Sequence, residues 1–385
     1  MTQKLWQTGN LSRNDFVEQF TIGNDFIFDQ RLLPFDIQAS KAHSAMLFKI
    51  GILTKKENKD LQKNLNEILQ LFKKEKFKIK PEDEDCHTAI ENFLIKKCGI
   101  AGKKIHTGRS RNDQVLTALR LFLKSATIEV KKEIKKTITA IKKSATKFAN
   151  LKMPGYTHYQ RAMPTTANIW LSSFADATDD LLPFFKNLEN LFDQSPLGSA
   201  AGFGIANFKN DRKFTAQKMN LKRVQENSIY CGFSRGWFEF LFLQNCHNLA
   251  LIFSRFTSDL LLFSTFEFDF IKLPEIFTTG SSIMPQKRNP DSIEILAGKI
   301  ATFSGKILTT QNLISKLTTG YHREFQLLKK PLFEGYDDII AILKMIQMLV
   351  KNLEFKKENL QKAMKSDLFL TEKVYLRVVQ GESFS

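Results

Sequence analysis

The stretch VLTALRLFLKSATIEVKKEIKKTITAIKKSATKF, from Val115 to Phe148, sets the class of the fold. Its apolar residues recur at steps of three or four, the spacing of one face of an α-helix. They are Val115, Leu119, Phe122, Ala126, Val130, Ile134, Ile138, Ile141, Ala145 and Phe148. The pattern predicts one uninterrupted helix of about 35 residues, roughly 50 Å long.

Four more long helical patterns follow along the chain. They cover residues 165–192, where Pro183 should kink the helix, and residues 236–263, 291–317 and 331–353. Five long helices with almost no strand signal predict an all-α fold, an elongated helical bundle. Several of these helices are apolar on more than one side, so we expect the bundle to pack against copies of itself.

Shorter helical patterns flank the bundle. Residues 36–52, residues 56–74 and a segment beginning at His87 are amphipathic, and we assign residues 1–105 to a smaller helical N-terminal domain. Residues 106–355 form the central long-helix domain for catalysis and oligomerisation. Residues 356–385 suit one or two short helices, and we assign them to a shortened C-terminal helical domain.

Composition limits the class of partner. The formal charge of +17 allows an anionic partner such as nucleic acid or a carboxylate. The lysines fall in helical runs such as Lys131-Lys132, typical of solvated faces, and no zinc-finger or RNA-binding motif accompanies them. We therefore expect a small anionic substrate and no nucleic acid.

The cysteines and the hydropathy pattern bear on location. The four cysteines are scattered, without a Cys-x-x-Cys pair, as expected for reduced thiols in the cytoplasm. Residues Met1–Trp6 lack the apolar core of a signal peptide. No stretch of 18 apolar residues occurs, which predicts no membrane span. We expect a cytoplasmic protein.

The stretch TGSSIMPQKRNPD, from Thr279 to Asp291, is too polar for a core element. Gly280 permits unusual backbone angles, and Asn289 followed by Pro290 is typical of a helix N-cap and first helical residue. The pattern predicts a mobile loop that presents hydroxyls and Lys287 to an anion. Taken alone, Gly-Ser-Ser is equally common in linkers.

The stretch HTGRSRNDQ, from His106 to Gln114, precedes the longest helix. Arg109 and Arg111 beside a helix N-terminus suit a carboxylate, because guanidinium and free backbone N–H groups both donate to it. A solvated capping sequence is the alternative.

Two more polar clusters contain histidines. In GYTHYQRAMP, Gly155 to Pro164, His158 lies between Thr157 and Gln160, ahead of a helix that a proline should begin. Such a histidine can be a general acid or base, although a lone histidine is more often structural. The second cluster, YHREFQLLK, runs from Tyr321 to Lys329 and is weak by itself.

Together these motifs, with SPLGSAA at residues 195–201, resemble the argininosuccinate lyase family of the fumarase/aspartase superfamily. The resemblance runs from about Leu5 to the last residue, in the family's order. It implies cofactor-free and metal-free cleavage of argininosuccinate into arginine and fumarate, the last step of arginine synthesis. It also implies a homotetramer. The clusters lie at opposite ends of long helices, so we expect each site to be shared between subunits.

The resemblance also implies roles for individual residues. Ser281 matches the loop serine taken as the base, His158 the histidine that older assignments gave that role, and Glu294 the carboxylate that orients it. Which of Ser281 and His158 is base and which is acid stays open. Lys287 and Asn289 match residues that stabilise the intermediate. The remaining candidates for substrate binding are His87, Arg109, Ser110, Arg111, Asn112, Thr157, Gln160, Tyr321, Arg323, Gln326 and Lys329.

Two departures from the family pattern keep alternatives open. Residues 20–25 lack the family's substrate-contacting serine, which Asn24 or Asp25 would replace. The family also continues several tens of residues further, which would suit a structural homologue without activity. The intact Ser281, His158, Lys287 and Glu294 argue against that reading. A sister lyase acting on another succinyl-amine is the second alternative, and the arginine cluster disfavours it.

Overall fold

The computed structural model describes residues 14–383, so the expectation about Met1–Trp6 lies outside the described residues. The chain is 68% helical with a few short strands, which confirms the all-α class. None of the described helices is both long enough and apolar enough to cross a membrane.

Residues 14–147 contain five helices followed by a very long one. They are α1 (Asp15–Ile22), α2 (Asp25–Lys49), α3 (Lys55–Lys73), α4 (Cys86–Cys98), α5 (Ile100–Lys104) and α6 (Arg111–Lys147). Helix α6 has 37 residues, which confirms the prediction of one uninterrupted helix from Val115 to Phe148. Helix α2 begins well before the predicted start at residue 36 and continues through Pro34.

The middle of the chain mixes helices with short strands. Its elements are β1 (Lys152–Thr157), β2 (Gln160–Thr166), α7 (Ala167–Asp179), α8 (Leu182–Phe192), β3 (Gln194–Ser195), α9 (Arg212–Lys218), β4 (Arg223–Val224), α10 (Ser228–Phe233) and α11 (Trp237–Phe263). Strands β1 and β2 form an antiparallel hairpin, and β3 pairs with β4 in parallel.

The prediction of one kinked helix over residues 165–192 is wrong. Strand β2 extends to Thr166, whose hydroxyl caps α7 by accepting the N–H of Ile169 at 3.2 Å. Helix α7 then ends, and α8 starts afresh with Pro183 in its first turn. A proline has no N–H to donate, and only the first turn of a helix leaves that donor unused.

The last part of the chain holds two long helices and several short elements. They are β5 (Ile271–Lys272), β6 (Thr279–Gly280), β7 (Arg288–Asn289), α12 (Asp291–Ser315), α13 (Lys329–Lys351), β8 (Glu354–Phe355), α14 (Lys357–Ala363) and α15 (Leu370–Val379). Within residues 14–383, four 3-10 turns cover Pro81–Asp83, Glu275–Phe277, Arg323–Leu328 and Ser366–Phe369.

Asn289 is not the predicted N-cap, because it pairs with Thr279 in the β6–β7 ladder.

The chain divides into two compact units built from alternating segments. Unit 1 comprises Met1–Ile128, Lys186–Leu243 and Lys306–Glu334; unit 2 comprises Glu129–Phe185, Gln244–Gly305 and Gly335–Ser385. The domain boundaries predicted at residues 105 and 355 divide the chain by sequence, and they stay a prediction.

Each unit has its own core. In unit 1 a cluster of small and aliphatic side chains from α2, α6, α9 and neighbouring loops packs beside Phe35. Phe35 and Phe333 both meet Phe122 edge to face, at centroid distances of 5.8 and 4.9 Å. In unit 2, Trp170 stacks on Phe256 at 5.6 Å and donates to Asp259 at 2.8 Å. Aromatic pairs of this kind add to the free energy gained by burial.

The segment after α13 is anchored unevenly within unit 2. Leu360 of α14 and Leu368 are buried, and the Asn359 amide donates to Asp269 Oδ2 at 2.8 Å. Helix α15, in contrast, has no buried residue, and Val379 is 84% exposed.

Amides of α15 should therefore exchange hydrogen faster than those of residues 115–127 in α6, since few apolar contacts oppose local opening. Native-state hydrogen exchange measured by mass spectrometry tests this expectation, with α14 as the internal control of intermediate protection. Protection of α15 equal to that of α6 would show that the helix is covered by something outside the described contacts.

Candidate active site

A buried lysine joins the start of α13 to α2 within unit 1. The Lys329 ammonium, at the start of α13, donates to Asp25 Oδ2 at 2.8 Å and also to Asp29 Oδ1. Only 4% of its side chain is exposed. Burial opposes the charged form, but Asp29 and Asp25 outweigh it and raise the pKa of Lys329. Burial raises the pKa of Asp25 to about 6, against the attraction of Lys329. The ammonium is therefore charged at neutral pH.

Gln326 fixes the start of α2 from the same side. Its side-chain amide donates to the carbonyl oxygens of Thr21 at 3.1 Å and Ile22 at 2.8 Å. These two bonds dock the α1–α2 junction on the 3-10 turn that precedes α13. The junction is the segment that departs from the family pattern. Of the two residues considered there, Asp25 contacts Lys329, whereas Asn24 makes no side-chain capping bond.

His87 lies beside this lysine network. Its Nδ1 is 2.7 Å from Asp36 Oδ2, and both side chains are buried. Burial alone would lower the pKa of His87, but the charge of Asp36 and the hydrogen bond raise it above the usual 6.5. Nε2 is buried and has no hydrogen-bond partner among residues 14–383. His87 thus offers one uncommitted N–H inside unit 1.

The arginine cluster is more engaged with its own chain than the sequence suggested. Arg109 is buried and donates to Ser40 Oγ at 2.9 Å. Ser40 in turn donates to Asp36 at 3.2 Å, which connects Arg109 to the His87 pair. Arg111 donates to Thr88 Oγ1 at 2.6 Å and lies 3.4 Å from Glu84. Both guanidinium groups therefore already have polar partners within unit 1, before any substrate carboxylate binds.

Asp113 is a functional neighbour that the sequence argument missed. One of its oxygens accepts the backbone N–H of Ser110 at 2.9 Å. The other accepts the N–H groups of Gly198 and Ala200, each at 3.0 Å. Burial raises the pKa of Asp113 to about 6, and the three N–H donors oppose that rise. The carboxylate fixes the 195–201 loop against the start of α6. The sequence feature that could have identified Asp113 is an acidic residue in the first turn of α6.

A small cavity brings two of the predicted residues together. Asn112 and Tyr321 line the same space in unit 1, of about 50 Å³, with Ser199 and Phe325. Arg235, immediately before α11, also lines it and is only 4% exposed. No sequence motif singled out Arg235. The remaining predicted residue of this unit, Arg323, is exposed and lines a different groove, together with Asn24 and Asp25.

Metal ligation is one reading of the His87 region. Within the described residues, ligand-type atoms of Asp29, Cys86 and His87 lie within 4.8 Å of one another. However, Lys329 occupies one oxygen of Asp29, and the N–H of Cys86 donates to the other at 2.9 Å. The ammonium already neutralises this carboxylate, so the group is a buried ion-pair network.

In unit 2, His158 occupies the tip of the β1–β2 hairpin. His158 and Tyr159 form its two-residue turn with φ of +53° and +58°, between the paired Thr157 and Gln160. A turn with two left-handed residues matches the twist of a hairpin, although glycine or asparagine is usual there. All four residues are exposed. The expectation that a proline begins a helix directly after this cluster is wrong, since Pro164 lies in β2 and α7 begins at Ala167.

The Ser281 loop spans residues 281–287 between β6 and β7. Ser281 Oγ accepts the backbone N–H of Met284 at 3.1 Å, and Lys287 N–H donates to the Met284 carbonyl at 2.9 Å. Thr279 donates to Asp291, and Ser292 donates to the Phe277 carbonyl at 2.8 Å, so the base of the loop is tied to α12. The Lys287 side chain is exposed. The loop thus presents a hydroxyl that accepts a backbone N–H, and it also carries the exposed cation Lys287.

The structure separates the predicted residues into two groups. His87, residues 109–112, Tyr321, Gln326 and Lys329 belong to unit 1, whereas His158, Ser281, Lys287 and Glu294 belong to unit 2. Within unit 2, Glu294 is exposed in the first turn of α12. Among residues 14–383, no hydrogen bond joins it to His158, the histidine it was expected to orient.

Comparison with known proteins defines the class. Residues 12–305 match the family described as "Lyase". Solved structures with the same fold include an EDDS lyase variant with bound fumarate (TM-score 0.82, 22% identity, covering 97% of this chain and 74% of that one). A class II fumarase from Schistosoma mansoni gives 0.79 and 16% identity, covering 92% and 84%. The fold and the family match together identify the chain as a lyase.

Curated relatives identify the family more narrowly. The argininosuccinate lyase of Thermotoga neapolitana is 44% identical over 388 residues, which cover all of this chain and 96% of that protein. The argininosuccinate lyase of Sorangium cellulosum is 37% identical over all of this chain and 89% of its own length. The chain belongs to the argininosuccinate lyase family.

The His87–Asp36 pair makes stability depend on pH in a defined direction. The raised pKa of His87 means that its contribution is complete below about pH 6.5 and is lost as pH rises through the folded-state value. In Asp36→Asn the partner charge is absent. The difference in unfolding free energy between wild type and this variant should therefore shrink as pH rises above 6.5. Denaturant unfolding at several pH values measures it; a constant difference would contradict a charged pair.

Proposed function

We propose that this protein splits argininosuccinate into arginine and fumarate by β-elimination, without a cofactor. The relatives named argininosuccinate lyase and the motifs around Ser281, His158 and Arg111 support this reaction. The single observation that carries the proposal is the Ser281 loop, in which half-buried Ser281 already accepts a backbone N–H on its hydroxyl oxygen.

The loop supplies what a serine base requires. A serine removes a proton only as its alkoxide, and an alkoxide needs donors and a cation nearby. The Met284 N–H at 3.1 Å is such a donor, and Lys287 lies on the same loop. In the proposed first step, Ser281 takes the proton from the carbon next to a succinyl carboxylate. The carbon's electrons move into that carboxylate, giving a doubly charged aci-carboxylate that Lys287 and Asn289 stabilise.

The second step breaks the carbon–nitrogen bond. The electron pair of the aci-carboxylate forms the double bond of fumarate, and the bond pair leaves on the guanidinium nitrogen. In our proposal His158 gives that nitrogen a proton, with Glu294 as its orienting carboxylate. Thr157, Asn112 and Arg111 bind substrate carboxylates, and Tyr321, Gln326 and Lys329 contact the arginine-side amino acid and the succinyl group.

We further propose a homotetramer whose active sites are shared between subunits. Two observations support it. Large apolar side chains of the long helices are exposed in unit 2, including Leu251 of α11, Ile295 of α12 and Met348 of α13. In addition, among residues 14–383 no hydrogen bond joins His158 to Glu294, although the proposed mechanism requires them to act together. The four cysteines are unpaired, as in the reduced cytoplasm that we propose for the protein.

Ser281→Ala should lower the turnover of argininosuccinate by about three orders of magnitude or more, because the base is removed while the loop remains. Fumarate release, followed by ultraviolet absorbance, measures it. Ser304→Ala is the matched control: the same change at an exposed serine of α12, in the same unit but outside the loop, should leave turnover close to wild type. A Ser281→Ala enzyme with more than about a tenth of wild-type turnover would refute the role of Ser281 as base.

Mixing two inactive variants tests the shared site. His158→Asn and Ser281→Ala proteins are dissociated, combined and reassociated. If the two residues of one site come from different subunits, some hybrid sites contain both intact residues, and activity partly returns. Each variant reassociated alone is the control. Confirmed hybrid tetramers without any recovered activity would count against shared sites.

A further inference from the structure

The cavity of about 50 Å³ in unit 1 has the chemistry of an anion site. It is enclosed by the start of α6, the 199–203 loop, α10 and the 319–325 segment. Its polar lining is Asn112, Ser199, Thr319, Tyr321 and Arg235, and no acidic residue is part of the lining. A volume of this size holds a carboxylate group or one or two waters, and not a whole substrate.

Arg235 is incompletely bonded in this cavity. Its Nη2 donates to the Phe325 carbonyl at 3.2 Å. Nε and Nη1 are buried and have no hydrogen-bond partner among residues 14–383. A buried polar atom without a hydrogen-bond partner loses its bonds to water and gains none in exchange. Native proteins therefore rarely contain such an atom unless it has a function.

Aromatic rings hold the guanidinium in place. Arg235 lies over the ring of Tyr321 at 5.5 Å and over that of Phe325 at 5.3 Å. Such stacking orients a planar guanidinium while leaving its N–H groups available. The site is therefore already formed before any ligand arrives, which lowers the cost of binding one.

We propose that Arg235 binds the α-carboxylate of the arginine half of the substrate. This inference rests on the proposed function. The choice of carboxylate follows from two neighbours in the lining: Tyr321 is a proposed contact of the arginine-side amino acid, and Asn112 is a proposed contact of a substrate carboxylate. The carboxylate accepts hydrogen bonds from the free donors on Nε and Nη1, and it adds to the negative charge that buried Glu239 already places near the guanidinium.

The test compares two ligands that differ only in this carboxylate. L-Arginine, the product, carries it, and agmatine, which is decarboxylated arginine, does not. Calorimetry gives the dissociation constant of each for wild type, Arg235→Met and the control Arg223→Met, which removes an exposed arginine of the same unit outside the cavity. Wild type and control should prefer L-arginine by about tenfold or more. In Arg235→Met the preference should fall to about one.

The outcomes separate the two proposals. Loss of the preference in Arg235→Met supports the inference, and an unchanged preference overturns it. If that variant does not fold by circular dichroism, Arg235→Gln retains a polar side chain and is judged by the same ratio. Fumarate release by the wild type is measured separately. A wild type that binds L-arginine in preference to agmatine yet releases no fumarate refutes the proposed reaction while leaving the carboxylate site standing.

Discussion

The arrangement of unit 1 depends on one buried ammonium. Lys329 lies between Asp25 and Asp29, and all three side chains are removed from most of the solvent. Removing one partner of such an ion pair costs about 3–5 kcal/mol, because the other charge stays buried and unpaired. The start of α13 and the first turn of α2 must therefore remain together. Since Cys86 donates to Asp29, the start of α4 is fixed to the same point, and His87 with it.

Much of the fold could be predicted because long helices repeat their pattern many times. The apolar residues of α6 recur over ten turns, so a few exceptions such as Arg120 do not hide the period. Short elements have no such redundancy. Pro164 and Thr165 predict the start of a helix, because proline is common at the first helical position, but both residues belong to strand β2 of a hairpin. Nothing in five or six residues reveals that Tyr156 pairs with Arg161.

In the candidate site, too, some residues can be identified from sequence motifs, and others can be identified only from the fold. The motifs name Ser281, His158, Lys287 and Lys329, because a loop serine or a lone histidine among polar neighbours stands out in the sequence. They do not name Asp113 or Arg235. Those side chains acquire their roles from partners 85 and 90 residues away, Gly198 and Phe325. A short sequence pattern does not reveal a contact between residues so far apart along the chain.

The Ser281 loop carries its own stabilising donor. The N–H that reaches Ser281 Oγ belongs to Met284, three residues along the same loop, and not to the helical scaffold. A loop that shifts as a body when substrate arrives would keep this hydrogen bond unchanged. The position of the Ser281 oxygen relative to its donor is thus independent of the position of the loop.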